Sequence, residues 1–397
     1  MKIFALELLI LGLSMAWNPN VLAENPKAEE NRIHDVINDM ESACVQDPVC
    51  YSTRSYNLPD DIGRILRTAC LVVEPNHRDR VMNVIGCWHN AIKYLRTWSF
   101  PSSAYELARY KIGLGIDACD GIPGKLNWDG NELDAKKGVF GNNLDKVSVN
   151  KGSIRVVSSC FYNATSVLTE VENSWILKPQ VDIIFDSCRL PGVNLADRLY
   201  GSCFQVGLAN IHDSPLAKNH DEEQRIILKG LGRACDEYRT GRDLPGDKSG
   251  DMETNEYAEY NGDQVYSRPN ICYDTGFQEL NLPDMTSVIV HSACHAHSDV
   301  NGCFGRATQY LATYPRPLTD HDKLSYTAGL ILSMCSSYND ACAIAALTSV
   351  VVDHDKDGNV IARQQNVQAS MNPLLQVGVD CKSGSCYNKV KVFFEKF

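Results

Sequence analysis

Cys87 and Cys119, Cys203 and Cys235, and Cys303 and Cys335 are each 32 positions apart. The sequence around these matched pairs repeats as well, so the chain reads as one unit copied three times. Each copy carries four cysteines: Cys50, Cys70, Cys87 and Cys119; Cys160, Cys188, Cys203 and Cys235; Cys272, Cys294, Cys303 and Cys335. An aromatic residue follows the first cysteine of each copy (Tyr51, Phe161, Tyr273) and also the third (Trp88, Phe204, Phe304).

From the third cysteine an apolar stripe runs at helical spacing. Trp88, Ile92 and Leu95 match Phe204, Leu208 and Ile211, then Phe304, Thr308 and Leu311. Steps of four and three place each trio on one helix face; Thr308 weakens the third stripe. Proline interrupts each interval at Pro101, at Pro215, and at Pro315 with Pro317. A second helical stretch follows, with a shared Gly-Leu at Gly113-Leu114, Gly230-Leu231 and Gly329-Leu330. Two helices joined by a proline turn make a hairpin. The spacing therefore predicts that cysteines three and four clamp its open end, leaving one and two to pair. The pattern of one with three and two with four stays open, because four cysteines allow three connectivities. Of the four cysteines outside the pattern, Cys381 and Cys386 are expected to close a small turn. Cys44 would then link to Cys342.

The compartment follows from the leader. Lys2, an apolar run from Leu8 to Trp17 and Val21-Leu22-Ala23 before Glu24 have the layout of a secretory signal. About 10 apolar residues fall short of the ~20 a membrane span requires. All 16 cysteines lie beyond that leader, and an even number in an oxidising compartment implies disulfides instead of metal thiolates. Asn163-Ala-Thr165 is an N-glycosylation acceptor pattern. A net charge of −11 and a pI of about 5.4 argue against nucleic acid and anionic membranes as partners.

The fold class expected is mainly α with small β-hairpin additions, in three tandem disulfide-stapled helical repeats. The organisation is a signal peptide over 1–23, repeat one over 24–119, a linker with hairpin over 120–153 and repeat two over 154–238. An acidic linker over 239–270, repeat three over 271–346 and a β-rich tail over 347–397 complete it. Hairpin turns are expected at Asp129-Gly130-Asn131, Asn261-Gly262-Asp263 and Asp357-Gly358-Asn359. The third lies between Val350-Val351-Val352 and Val360-Ile361, and Val390–Phe394 reads as extended.

Two clusters are candidates for metal chemistry. Asp353, Asp355, Asp357 and Asn359 resemble part of an EF-hand loop, with carboxylates at loop positions 1, 3 and 5 and Gly358 at position 6. Position 12 is Gln364 instead of the bidentate glutamate, so any calcium affinity is weak and a hairpin turn is the favoured reading. His291, His295 and His297, near Asp299, include an i, i+4 pair that shares a helix face and could chelate zinc or copper. Cys294 belongs to the disulfide set, and a solvated histidine face is favoured there. No nucleophile elbow, zincin motif or phosphate loop occurs. The sequence thus points to a secreted, non-catalytic protein of duplicated Cys-rich modules. It would act by binding an extracellular protein or matrix component, where linked copies raise avidity, or serve as a secretion or matrix component itself. The alternatives are a calcium-associated matrix or mineral-matrix protein and a carrier of small apolar ligands.

Overall fold

A computed structural model describes residues 25–70, 78–120, 151–170, 177–189, 198–214, 217–240, 268–280, 282 and 286–314. It also describes 316, 320–336, 338–354, 360–362, 377, 380–381 and 384–396. The signal segment, the linkers over 120–153 and 239–270 apart from their edges, and the first two expected hairpin turns lie outside these residues.

The described chain is helical. In order the helices are α1 (Pro26–Ala43), α2 (Pro48–Arg54), α3 (Asp60–Cys70), α4 (Arg78–Thr97), α5 (Ala104–Asp120), α6 (Lys151–Glu170), α7 (Lys178–Cys188) and α8 (Arg198–Asp213). Then follow α9 (His220–Thr240), α10 (Arg268–Glu279), α11 (Thr286–His295), α12 (Val300–Thr313), α13 (Asp320–Met334), α14 (Asp340–Val351) and α15 (Cys386–Phe394). Local chemistry starts several of them. Asn25 accepts from the amides of Lys27 and Ala28 ahead of α1, and Asp47 from those of Val49 and Cys50 at α2, each with proline at the first helical position. Asp299 caps α12 through the amide of Gly302 at 2.9 Å.

Three helical hairpins, α4–α5, α8–α9 and α12–α13, fall where the stripes and proline breaks predict. Pro101 lies in the first connection; Pro215, Pro315 and Pro317 are outside the described residues. The stripe residues are buried, and Thr308 fits because its hydroxyl donates to the carbonyl of Phe304 at 2.8 Å. Close packing within the hairpins uses the shared glycines. At Gly113 the ring of Tyr94 occupies the place of a side chain, and at Gly329 the ring of Tyr310 does the same. The hairpins then stack by recurring contacts. Helix α3 packs on α6, α7 on α10 and α11 on α14; α5 packs on α8, α9 on α12 and α13 on α15.

All 16 cysteines are paired, with no free thiol. The pairing overturns the hairpin clamp. Cys87 bonds Cys70, Cys203 bonds Cys188 and Cys303 bonds Cys294, with Cα atoms 5.6, 5.7 and 5.3 Å apart. Cys119 bonds Cys160, Cys235 bonds Cys272 and Cys335 bonds Cys342. Cys50 bonds Cys44 instead of Cys70, so neither a Cys50–Cys70 nor a Cys44–Cys342 link exists. Cys381 does bond Cys386. Helix lengths explain the correction. Within each hairpin the third cysteine lies about 10 residues before the bend and the fourth about 15 after it. At 1.5 Å per residue that offsets them along the axis by about 7 Å, more than a disulfide spans.

The bridges therefore alternate. One kind joins the end of a helix to the first helix of the hairpin that follows, and the other crosses from the second helix of a hairpin, or from the end of α1, to the next helix. Two of the crossing bridges close tight turns that hold non-glycine residues in the left-handed region, Gln46 with φ 60° and Tyr338 with φ 66°. The other two crossing bridges span 41 and 37 positions.

The C-terminal segment also departs from expectation. Val350 and Val351 end α14 instead of forming a strand, because Cys342, Ala343, Ala346 and Leu347 bury one helix face. A short antiparallel pair follows, Val352–His354 against Val360–Ala362, with Asp353 opposite Ile361. Val390–Phe394 is helical. Cys386, Val390 and Phe393, spaced by four and three, face the core, while Val392 is half exposed.

Candidate functional site

A groove of about 1280 Å³ opens where the α8–α9 hairpin meets α12. Its floor is a close approach of α9 to α12, since a side chain at Gly232 would touch the methyl of Thr308 at 3.0 Å. Its walls are polar and mixed in sign, with Lys229, Arg233 and Arg306 facing Asp213, Asp236 and Asp299. Several of these groups are held in place. The hydroxyl of Tyr273 donates to Asp236 at 2.8 Å, tying α10 to α9. The guanidinium of Arg306 donates to the carbonyls of Ser333 and Met334 at 2.9–3.2 Å. That places a cation at the C-terminus of α13, where the helix dipole favours one. Asn90 makes the corresponding contact in the first hairpin, donating to the carbonyl of Asp117 at 3.1 Å.

Apart from Tyr273, whose hydroxyl reaches the groove wall, the aromatic residues after the cysteines pack between helices. Trp88, Tyr51, Phe161, Phe204, Tyr273 and Phe304 are all buried to 2% exposure or less. Tyr51 stacks on Trp88 with centroids 6.0 Å apart, and Tyr273 on Phe304 at 5.8 Å. These rings fill the helix interfaces. A partly open cleft beside Leu228, Leu311 and Tyr326 holds about 50 Å³, far below the ~300 Å³ of a small-ligand pocket.

The sequence-derived metal residues separate into three groups. Asp353 lies in the first short strand; Asp355, Asp357, Gly358 and Asn359 lie outside the described residues. The strand Val360–Ala362 stands where an EF-hand loop would lead into its second helix. His291 and His295 come together on one face of α11, joined by Asp274 of α10, which sequence spacing did not bring into view. His297 parts from them. It is 9% exposed, accepts from the amide of Asp299 at 2.9 Å and lies 3.3 Å from Arg306. Asn163 sits half-buried on α6, and Thr165 is buried with its hydroxyl on the carbonyl of Phe161 at 2.7 Å. The acceptor pattern thus lies on a helix instead of the surface loop such a pattern implies.

Burial and the charge of Arg306 hold His297 below the ordinary imidazole pKa, with Asp299 acting against them. The unfolded chain then binds the extra proton first as pH falls through about 6.5. The stability this neutral imidazole provides is complete above that pH and declines below it, toward the lower folded-state pKa. Melting midpoints at pH 8 and pH 5 should therefore fall further for the native protein than for His297→Gln. An equal fall in both would remove His297 from the acid response.

No family model matches the chain, and no curated protein or solved structure is similar to it.

Proposed function

We propose that this is a secreted, non-catalytic binding protein built from tandem helical modules, and that the α8–α9–α12 groove receives an extended segment of an extracellular partner. The observation that carries this reading is the recurrence of the same hairpin, the same bridges and the same neighbour contacts along the chain. Each hairpin with its flanking helices is one module, stacked on the next, so a surface groove arises at a module boundary. Stacked modules of this kind transmit contacts only to neighbours and present long binding faces. Cys44 closes as a fourth cysteine ahead of the first module, and Cys342, Cys381 and Cys386 supply the first three positions of a partial fourth. Tyr387 follows Cys386 as the aromatics follow the other third cysteines.

Support for the extracellular setting comes from eight bridges without a free thiol, which suits an oxidising compartment. No described helix is long and apolar enough to cross a membrane. The mixed charge of the groove fits a polar peptide better than a lipid, and the ring-filled interfaces weigh against an apolar-ligand carrier.

A photo-crosslinking residue at exposed Gln309 in the groove is expected to capture one defined protein from the fluid in which the chain accumulates. The same probe at Lys93 on α4 should not capture it, and Lys229→Glu with Arg233→Glu should reduce the yield at least several-fold. Equal capture from both positions, indifferent to charge reversal, would contradict a groove partner.

A further inference from the structure

Helices α10 and α11 meet without a disulfide between them, and at that junction three donors converge. The Oδ1 atom of Asp274 lies 2.7 Å from Nδ1 of His291 and 3.5 Å from Nε2 of His295. One ligand atom from each residue lies within 4.8 Å of the others, and the two imidazole centroids are 4.1 Å apart. We propose that Asp274, His291 and His295 form a binding site for a zinc-class divalent transition-metal ion.

The donor set defines the ion. Two imidazole nitrogens and one carboxylate oxygen suit Zn²⁺ or Cu²⁺, whereas Ca²⁺ and Mg²⁺ demand six or more oxygens. Every thiolate is committed to a disulfide, so nitrogen and oxygen are the ligands this chain has to offer. An ion at about 2.0–2.2 Å from three donors in tetrahedral geometry holds them roughly 3.3 Å apart. The present donor atoms, all within 4.8 Å of one another, lie near that spacing. Three protein ligands leave the fourth position for water, and the 47% exposure of the His291 side chain provides its route.

The surroundings hold the donors in place. The amide of Gln278, one turn along α10, donates to Oδ2 of Asp274 at 3.3 Å, turning the other oxygen toward the histidines. His295 sets its ring edge-on to Phe304 with centroids 6.1 Å apart. Its neighbour Cys294 is bonded to Cys303, which fixes the end of α11. Orientation of ligands by such outer contacts is the usual support of a metal site.

The corresponding place in the second module is filled differently. Counting from the cysteines, Tyr162, Phe185 and Arg189 stand where Asp274, His291 and His295 stand. Tyr162 and Phe185 pack with centroids 5.2 Å apart, and Arg189 lies over both rings at 5.7–5.9 Å. Aromatic and cation–π packing holds that helix junction. In the third module a chelating trio occupies it, so the ion would tie α10 to α11 in place of apolar contact.

The test is zinc titration of the intact, fully oxidised protein by calorimetry, with Co²⁺ as a spectroscopic stand-in. One ion per chain is expected, with a rise in melting midpoint, while Ca²⁺ gives no heat. Asp274→Asn and His291→Ala should each weaken zinc by more than about 10-fold. His220→Gln, a surface change on α9, should leave it unaltered. The two site variants are conservative or half-exposed, and circular dichroism checks that they fold. Absence of zinc binding, or binding that survives both variants unchanged, would overturn the site. Either result leaves the groove proposal standing, since that rests on different residues.

Discussion

Replacing Cys119 and Cys160 together by serine is expected to lower stability by about 4 kcal/mol on the chain-entropy account of disulfides. This bridge closes the longest covalent loop of the eight, 41 positions, between the end of α5 and the middle of α6. The same account gives only about 2 kcal/mol for Cys381 and Cys386, whose loop spans 5 positions. The order of the two effects is the informative part. Paired urea melts of both double variants under non-reducing conditions measure it, with the Cys119/Cys160 midpoint shifted further. A larger loss from Cys381/Cys386 would mean that local packing at α15, and not loop closure, governs the contribution of these bridges.

Trp88→Ala should destabilise the first hairpin by about 3–5 kcal/mol, the range for removing a large aromatic from a packed core. Trp88 is fully buried beside the Cys70–Cys87 bridge and stacked on Tyr51, so little around it can collapse into the space. Trp98, at 55% exposure beyond the end of α4, is the comparison. Trp98→Ala should stay within about 0.5 kcal/mol of the native protein. Similar losses from both substitutions would show that Trp88 is not the anchor of this interface.

The helices were legible because their apolar residues recur with helical period. Trp88, Ile92 and Leu95, with their counterparts, mark one buried face by their spacing, and the prolines mark the bends. Cys381–Cys386 was legible as a short turn, but the other bridges were not, for a physical reason. The constant 32-residue interval records the length of a helical hairpin, which packing fixes, and no bond crosses it. The intervals that are bonded vary from 5 to 41 positions, because they cross junctions whose length packing does not constrain. Consecutive pairing was therefore hidden behind the one spacing that repeats. The C-terminal helix was missed similarly. Val390, Val392 and Phe394 alternate as a strand would, while the residues that face the core are Cys386, Val390 and Phe393. Of the metal cluster, sequence yielded His291 and His295 because they share a helix face. Asp274 lies 17 positions away from His291, and only the packing of α10 on α11 joins it to them. His297 was close in sequence and turned to Arg306 instead.

The bridges that lead into and out of each hairpin underlie the module stacking, and hence the groove, so the direct test is the covalent map. Proteolysis of the alkylated, unreduced protein followed by mass spectrometry of the linked peptides reads the eight pairs without any assumption about fold. The structure predicts that every cysteine is joined to its neighbour in sequence, with Cys70–Cys87, Cys119–Cys160 and Cys335–Cys342 among the linked peptides. Peptides linking Cys87 to Cys119, Cys203 to Cys235 or Cys303 to Cys335 would contradict it.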